Sequence, residues 1–302
     1  MNIEIKNNYL SDYLNFLEPI IASGGPELSE WNDLNGCIEK LALDVKNGNL
    51  SESDIASIRS AFGDSFGLST MQGFAYQKPH GYAGDFEIID RIYSEYISPE
   101  PYSKWDIFWQ AHPAANAVRN RKDYFHKILD KLSTQKESLS VLKIAVGPGR
   151  SMYEWMNRNP EYDVSFECIE YDDKAIEYAK NLNADFESRI TWRHENALKY
   201  RSETNKYDLI WAAGIFDYFN DQVFESLFSR LLESKKQDGQ IVVGNFSTSN
   251  PSRPYMEIFD WILHHRTEQD LIDLALSSGS DGKQISIGKE QEGVNLFLHV
   301  EK

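Results

Sequence analysis

The chain of 302 residues lacks a long apolar segment. Its longest apolar stretch, around Leu209 to Phe216, has the length of a buried strand and its exit, well short of the roughly 18 residues that span a bilayer. The first ten residues, MNIEIKNNYL, contain no apolar core of the kind that defines a signal peptide. We therefore expect a chain that stays in the cytoplasm and inserts into no membrane.

Basic residues and cysteines are also scarce. Thirty-one Lys and Arg stand against 47 Asp and Glu, a formal net charge of −16, and no Lys/Arg-rich block occurs. Such a balance repels a polyphosphate, so nucleic acid is not an expected partner, whereas a small or cationic molecule is permitted. Cys37 and Cys168 lie far apart without C-x-x-C spacing, which excludes a disulfide scaffold and a cysteine zinc site. Because no His, Asp and Glu cluster has metal-ligand spacing, we expect no metal.

Apolar residues make up 41% of the chain and aromatic residues 13%, enough for a substantial core. The first third carries amphipathic helical stripes from Leu10 to Leu17 and from Trp31 to Val45. Ser51 and Asp54 predict a capping box before a further helix. Residues 1–115 are therefore expected to form an all-helical subdomain.

The segment QKPHGYAGD, from Gln77 to Asp85, has too many helix breakers for a regular element, and a helical stripe from Phe86 to Tyr96 follows it. Its two glycines permit unusual backbone conformations, and Tyr82 offers a ring and a hydroxyl to a ligand. We expect residues 77–97 to form a lid over a ligand site, to which Tyr82 and Asp85 contribute. The alternative is a rigid loop that Tyr82 and Asp85 only shape.

After about residue 138 the pattern changes to alternating strands and helices. Apolar runs predict strands at 141–146, 164–169, 190–193, 207–212 and 241–243, with helices at 173–181, 223–232 and 269–276. Single helices between strands indicate a doubly wound, mainly parallel sheet with helices on both faces. Residues 284–287 and 294–300, joined by GKEQEG, predict a closing antiparallel hairpin, which separates this α/β Rossmann-like fold from the nicotinamide type.

A strand, a Gly-Pro-Gly turn and a helix occupy Val141 to Trp155. Gly147 and Gly149 remove side chains that would block a ligand, and the helix start presents free N–H groups. Met152 takes the third position of a G-x-G-x-x-G dinucleotide fingerprint, so that fingerprint is incomplete. Glu170 ends the second strand, where an acid can accept both hydroxyls of a ribose. The combination favours a nucleoside site over a tight turn beside a surface carboxylate.

With these motifs, residues 115–302 resemble the class I S-adenosylmethionine (SAM) dependent methyltransferases. VLKIAVGPGRS resembles the first motif of that family, which implies that Gly147, Pro148 and Gly149 lie under the methionine part of SAM. Lys143 and Ala145 depart from it, since an acid and a glycine are usual at those positions.

CIEYDD resembles the second motif and ENA the third, and YDLIWAAGIFDY resembles the fourth strand and its exit. The resemblance implies that Glu170 holds the ribose and that Tyr171 lies against the adenine. It also implies that Asn196, with Ala197, meets the adenine amino group.

Four further stretches, KPHGYAGD, AVRNRKDY, GIFDYF and GNFSTSNPSRPYMEIFDWILHHRT, are similar to a bacterial group described as extracellular factor, or 3-hydroxypalmitic acid methyl ester, biosynthesis proteins. This similarity reaches back to about residue 71. The resemblance implies a SAM-binding domain over residues 116–302, with residues 1–115 as a helical lid that supplies an apolar substrate chamber.

Other candidate site residues follow from their positions. Asp217 and Tyr218 follow the fourth strand and Asn245 follows the fifth, at the edge where open α/β sheets bind ligands. A turn or an aromatic core is the structural alternative for the first two. Arg253 with Tyr255 could clamp a carboxylate or close a polar loop.

Arg119 and Arg121 could hold the carboxylate of SAM or pair with surface acids. His264 and His265 are expected late on a helix, where solvation or the helix dipole is a commoner role than catalysis. No residue stands out as the catalytic group, and Tyr82 and His264 are weak candidates.

The expected reaction is methyl transfer from SAM to a small molecule, with S-adenosylhomocysteine (SAH) as product. A carboxylate is ionised at neutral pH and needs no general base, whereas a hydroxyl usually does. We therefore favour carboxyl O-methylation of an apolar, acyl-type acid. The alternatives are N- or O-methylation of another natural product and, because the first motif is altered, a non-catalytic SAM-binding regulatory protein.

Overall fold

The computed structural model describes the backbone of residues 3–301 and the side chains of residues 9–301. Most of the first ten residues, on which the expectation of no signal peptide rests, therefore lie outside the residues whose side chains the structure describes. The chain divides into two units: unit 1 is Met1–Ala115 with Pro251–Ile262, and unit 2 is Asn116–Asn250 with Leu263–Lys302. Residues 251–262, which the sequence-based division at 115 assigned to the second half, thus belong to the first unit.

Twelve α-helices occur within residues 3–301. They are α1 (Ile3–Ala22), α2 (Trp31–Lys46), α3 (Glu52–Ala61), α4 (Met71–Gln77), α5 (Phe86–Tyr93), α6 (Ser103–Gln110), α7 (Pro113–Ser133), α8 (Arg150–Arg158), α9 (Asp173–Leu182), α10 (Asp221–Ser234), α11 (Arg253–Ile258) and α12 (Glu268–Ser277). Not one of these helices is both long enough and apolar enough to pass through a membrane.

The strands all belong to unit 2. They are β1 (Ser138–Ile144), β2 (Asp163–Glu170), β3 (Ile190–His194), β4 (Tyr207–Ala213), β5 (Lys235–Phe246), β6 (Ile285–Lys289) and β7 (Asn295–Val300). They form one sheet in the order β3-β2-β1-β4-β5-β7-β6, in which β1 to β5 are parallel and β7 is antiparallel to β5 and β6. The predicted fold class, a mainly parallel Rossmann-like sheet with a C-terminal hairpin, is confirmed.

Unit 1 is helical, as its apolar stripes predict. Its core brings together fully buried side chains of α1, α2 and α3, such as Leu17, Leu34 and Ile58. Helix α3 begins with the predicted capping box, in which the Ser51 N–H donates to Asp54 Oδ2 at 2.7 Å and the Asp54 N–H donates to Ser51 Oγ at 3.3 Å. Each bond satisfies an N–H group that the helix itself leaves unpaired.

The QKPHGYAGD segment is a structured loop before a helix, as predicted. Gly81 and Gly84 adopt φ of +89° and +69°, which a side chain would strain. Asp85 is buried and caps α5, because its Oδ1 accepts from the Glu87 and Ile88 N–H groups at 2.9 Å. The helix is shorter than its apolar stripe predicts.

Helix α5 ends at Tyr93, so Tyr96 lies beyond it. Glu95 has a left-handed φ of +51°, and the Tyr96 N–H returns to the Arg91 carbonyl at 2.9 Å, which closes the helix end.

In unit 2, alternate residues of β1 face opposite layers of helices. Leu142 and Ile144 pack in a core that contains residues of α10 and α12, whereas Leu139 and Val141 pack with α7 and α8. This alternation places the helices on both faces of the sheet, as the single-helix connections predict. Strand β5 is longer than its predicted core at 241–243, because its polar beginning, KKQDGQ, carries no apolar pattern yet still reaches β4.

Candidate active site

The loop between β1 and α8 has an unusual backbone. Ala145, Gly147 and Gly149 all have positive φ, at +52°, +61° and +71°. A Cβ at Gly149 would lie 2.8 Å from Asn183 Nδ2 and 3.1 Å from Ala179 Cβ. A Cβ at Gly147 would meet no atom within 4 Å. Gly149 is therefore required by packing against α9 and its C-terminal end, whereas Gly147 leaves open space into which a ligand can approach the backbone.

Ala145 takes a left-handed conformation at a position where a glycine is usual in the family that the sequence resembles. The conformation costs a non-glycine residue roughly 1 kcal/mol. The Ala145 N–H donates to the Ile169 carbonyl at 2.9 Å, so the departure from the motif changes the side chain and leaves the course of the backbone intact.

Glu170 connects the end of β2 to this loop. Its Oε2 accepts from the Gly147 N–H at 3.0 Å, and its Oε1 accepts from the Tyr171 and Asp172 N–H groups at 2.8 and 3.1 Å. The structure thus brings together the glycine loop and the acid that the sequence predicts as a ribose ligand. Oε2 keeps a further lone pair for a hydroxyl, whereas Oε1 already accepts two hydrogen bonds.

The predicted adenine residues lie at the ends of β2 and β3. Tyr171 is 67% exposed, and its ring centroid lies 6.1 Å from that of His194. Asn196 accepts the Leu198 N–H at 2.8 Å through Oδ1, which fixes its side chain at the start of a short turn of helix, and Ala197 is buried. The ring of Tyr171 is thus free of the core.

The exits of β4 and β5 are tied together by buried polar groups. Asp217 is 2% exposed and accepts the Phe246 N–H at 2.6 Å, and burial raises the pKa of its carboxyl to about 7. Asn245 is fully buried, donates to the His264 carbonyl at 2.9 Å and accepts from Arg266 at 2.7 Å. Tyr218 is exposed beside Asp217.

Arg266 is a central residue that the sequence analysis missed. It is 4% exposed and donates to the Phe216 and Phe219 carbonyls at 3.1 and 2.6 Å, besides Asn245 and Asp221. The guanidinium therefore satisfies backbone carbonyls that follow β4. The one feature of the sequence that could have drawn attention to Arg266 is its position directly after His264 and His265.

The prediction that His264 and His265 lie late on a helix is wrong. Helix α11 ends at Ile258, Asp260 takes a left-handed φ of +64°, and the residues up to Arg266 are irregular. The His264 side chain is exposed, and the backbone N–H of His264 donates to the Asp217 carbonyl at 2.7 Å. The prediction failed because the helical spacing of apolar residues continues through Trp261, although the helix itself ends at Ile258.

Four of the predicted substrate residues, Tyr82, Asp85, Arg253 and Tyr255, belong to unit 1. Arg253 is exposed and pairs with Glu257 at 2.6 Å. Tyr255 is buried, and its hydroxyl donates to Gln72 Oε1 at 2.6 Å. The two side chains have separate partners, and the carboxylate clamp stays a prediction.

Lys143 occupies the place of the usual acid in the first motif. It is buried, and its Nζ donates to Ser151 Oγ at 2.6 Å and lies 4.4 Å from the centroid of the Phe125 ring. Burial lowers the pKa of its ammonium to about 8. The structure therefore accommodates this departure without a carboxylate partner for Lys143 among residues 9–301, at a cost in stability.

The comparisons with known proteins agree with this geometry. A family model described as a methyltransferase domain matches residues 141–239, from β1 into β5. The match covers the glycine loop, Glu170 and Asp217. Residues 141–239 are therefore similar to a methyltransferase domain. No protein among the curated sequences matches the chain.

Solved structures share the fold at low identity. A protein from Bordetella parapertussis described as a possible exported protein has a TM-score of 0.62 at 14% identity, over 98% of this chain and 96% of that chain. A Nostoc punctiforme protein, provisionally assigned as an O-methyltransferase, has a TM-score of 0.51 at 15% identity, over 79% and 71%. Magnesium protoporphyrin IX methyltransferase from Synechocystis, solved with bound SAH, has a TM-score of 0.54 at 11% identity, over 75% and 96%.

These structures confirm the fold of the chain. The resemblance to the extracellular factor group and the location in the cytoplasm stay predictions.

The buried ammonium gives a first prediction. Lys143→Met should raise the free energy of unfolding at pH 7 by about 2 kcal/mol. The reason is that burial holds the pKa of the Lys143 ammonium at about 8 in the folded chain, below its ordinary value of 10.5, so the charged form destabilises the folded state. The unfolded chain holds more protons between about pH 8 and 10.5, so the stability of the wild type rises with pH in that window. The advantage of Lys143→Met should therefore shrink there.

Urea denaturation at pH 7 and pH 10 measures both effects. Lys127→Met, which removes an exposed lysine from α7, is the matched control and should change little. A Lys143→Met variant that is less stable than the wild type at pH 7 would show that the ammonium contributes a needed interaction.

Proposed function

We propose that this protein transfers a methyl group from SAM to a small molecule and releases SAH. The observation that carries the proposal is the match of residues 141–239 to a methyltransferase domain, joined to the geometry of the loop inside it. There, Gly147 has open space beside it, and its N–H is bonded to the Glu170 carboxylate. A nucleoside with an amino-acid tail needs both an approachable backbone and an acid for the ribose.

The residues present fit SAM. Gly147, Pro148 and Gly149 would lie under its methionine part, and Glu170 would accept the ribose hydroxyls. Tyr171, with its exposed ring, would cover the adenine beside Asn196 and Ala197. Arg119, whose guanidinium donates to Asn116 Oδ1, is a further candidate for the methionine end.

For the acceptor we propose the carboxylate of an apolar, acyl-type acid. SAM supplies an electrophilic methyl group, so the chain has to hold the acceptor in line and exclude water. An oxygen of the ionised carboxylate forms the new C–O bond while the C–S bond breaks, and the electron pair stays on the sulfur of SAH. No proton has to be removed from a carboxylate, so this reaction does not require the exposed His264, whose backbone N–H is bonded to Asp217, as a general base.

The two glycines test the cofactor site as a matched pair. The wild type should bind SAH in the micromolar range, roughly 7 to 8 kcal/mol, and NAD much more weakly. Gly147→Ala should cost about 1 kcal/mol of stability through its positive φ and should weaken SAH at least tenfold, because the new Cβ projects into the open space. Gly149→Ala should instead lower the melting temperature more strongly, because its Cβ meets Asn183 and Ala179.

Calorimetry and thermal unfolding separate these outcomes. A folded Gly147→Ala variant that binds SAH like the wild type would place the cofactor elsewhere.

The acceptor is tested by turnover with a panel. Saturated and 3-hydroxy fatty acids of increasing length, with the matching alcohols and amines, are incubated with SAM carrying an isotopically labelled methyl group. We expect labelled methyl esters from the acids, detected by mass spectrometry together with SAH. Transfer to an alcohol or an amine instead would favour the tailoring alternative. SAM binding without turnover across the panel would favour a non-catalytic regulatory protein.

The lid prediction for residues 77–97 concerns Tyr82, which is partly exposed on the Gly81–Gly84 loop of unit 1. Tyr82→Ala should reduce turnover at least tenfold, about 1.4 kcal/mol in the barrier, without changing SAH affinity or the melting temperature. A variant that melts early yet keeps its activity per folded molecule would show that the loop is only structural.

A further inference from the structure

Arg121 is a buried guanidinium on α7, in unit 2. The residue is 6% exposed, and its Nη1 lies against the backbone where β4 ends: a Cβ at Gly214 would come within 2.9 Å of it. Gly214 has a φ of +106°, so a glycine is needed there both for the conformation and for the space that the arginine occupies.

The guanidinium of Arg121 has no hydrogen bond or ion pair with any of residues 9–301. Arg266 shows how this fold treats a buried structural arginine: it is as deeply buried, and four acceptors surround it. A buried charge without hydrogen-bonded partners is strongly unfavourable, and an arginine cannot escape by losing its proton. The sequence alternative, in which Arg121 pairs with a surface acid, is therefore wrong.

The charges around Arg121 do not balance within the chain. Asp217 and Lys143 are the buried ionisable groups that interact electrostatically with Arg121. Arg266 also interacts with Asp217, but its charge is balanced by an ion pair with Asp221 at 2.9 Å. Among Arg121, Lys143 and Asp217 there is one carboxyl, that of Asp217, and its Oδ1 is already bonded to the Phe246 N–H. The ends of β1 and β4 thus carry an excess of buried positive charge in a chain whose net charge is −16.

We propose that Arg121 binds the carboxylate of a small molecule at the carboxyl ends of β1 and β4. A guanidinium matches a carboxylate with two parallel N–H donors, which gives orientation as well as attraction. The adjacent strands β1 and β4 flank the point where the strand order reverses, and ligands of open α/β sheets bind at such a crevice.

Two molecules of the proposed reaction carry a carboxylate, the acceptor acid and the methionine part of SAM, so the inference rests on the proposed function. The position of Arg121 favours the acceptor. The residues proposed for SAM lie at the ends of β1, β2 and β3. The guanidinium of Arg121 interacts with Lys143 of β1 as well, but its Nη1 lies against Gly214 and the guanidinium interacts with Asp217, both of which follow β4.

The test uses the full chain and the variants Arg121→Met and Arg121→Lys, with Lys127→Met as the control that removes an exposed charge from the same helix. Calorimetry measures laurate and methyl laurate in the presence of SAH, and separately SAH and methylthioadenosine, which lacks the amino-acid part. We expect Arg121→Met to weaken laurate at least tenfold while methyl laurate and SAH change less than twofold. Arg121→Lys, which keeps the charge and loses the fork, should give an intermediate loss.

A tenfold loss of SAH with unchanged methylthioadenosine would support carboxylate recognition by Arg121 and assign it to SAM. Unchanged binding of both laurate and SAH in folded variants would overturn the proposal. Thermal unfolding provides an independent readout. If Arg121 serves to bind a ligand, Arg121→Met should not lower the melting temperature of the ligand-free protein. If Arg121 instead stabilises the fold, Arg121→Met should lower it.

If Arg121→Met does not fold, the binding of laurate against methyl laurate and of SAH against methylthioadenosine is compared between Arg121→Lys and the wild type instead. A wild type that binds laurate through Arg121 but binds no SAH would refute the proposed function and leave the carboxylate site standing.

Discussion

The candidate site depends on how this parallel sheet satisfies the backbone at the ends of β4 and β5. Each strand ends in carbonyl and N–H groups that no neighbouring strand can pair, and burying them unpaired would cost several kcal/mol in total. Arg266 takes two of these carbonyls, Asn245 bridges Arg266 to the His264 carbonyl, and Asp217 takes the Phe246 N–H. Because these bonds cross between segments, they fix the exits of both strands at once.

A second set of bonds fixes the loop after β1. Ala145, Gly147 and Gly149 all have positive φ, which is strained for Ala145 but not for the two glycines. The Ala145 N–H pairs with the Ile169 carbonyl and the Gly147 N–H pairs with Glu170, so the end of β2 holds the loop in place. Glu170 consequently has two tasks, since the carboxylate that is offered to a ligand also orders the loop beside it. Ala145, which stands where a glycine is usual, is held in its left-handed conformation by the separate bond to the Ile169 carbonyl.

The parallel strands of unit 2 could be predicted because each contains an apolar run, which is a local signal in the sequence. Features without a local signal were missed. The polar beginning of β5 pairs with β4 but contains no apolar residue, and the irregular course around His264 depends on a left-handed Asp260 in an apolar stretch. Arg266 was missed because its partners lie 21 to 50 residues away, so nothing in its own neighbourhood shows that it is buried.

The same structure reconciles the acidic composition with a site for an anion. Exposed charges are screened beyond about 8 Å at physiological ionic strength, so a net charge of −16 acts mainly on large or distant polyanions. Inside unit 2 the local balance is reversed, because Arg121 and Lys143 are both buried and Asp217 is the buried carboxyl that interacts with Arg121. Low dielectric strengthens these short-range interactions. The net charge of the surface thus disfavours a polyanion, whereas the buried positive charge of unit 2 is compatible with the single carboxylate that we propose as a ligand.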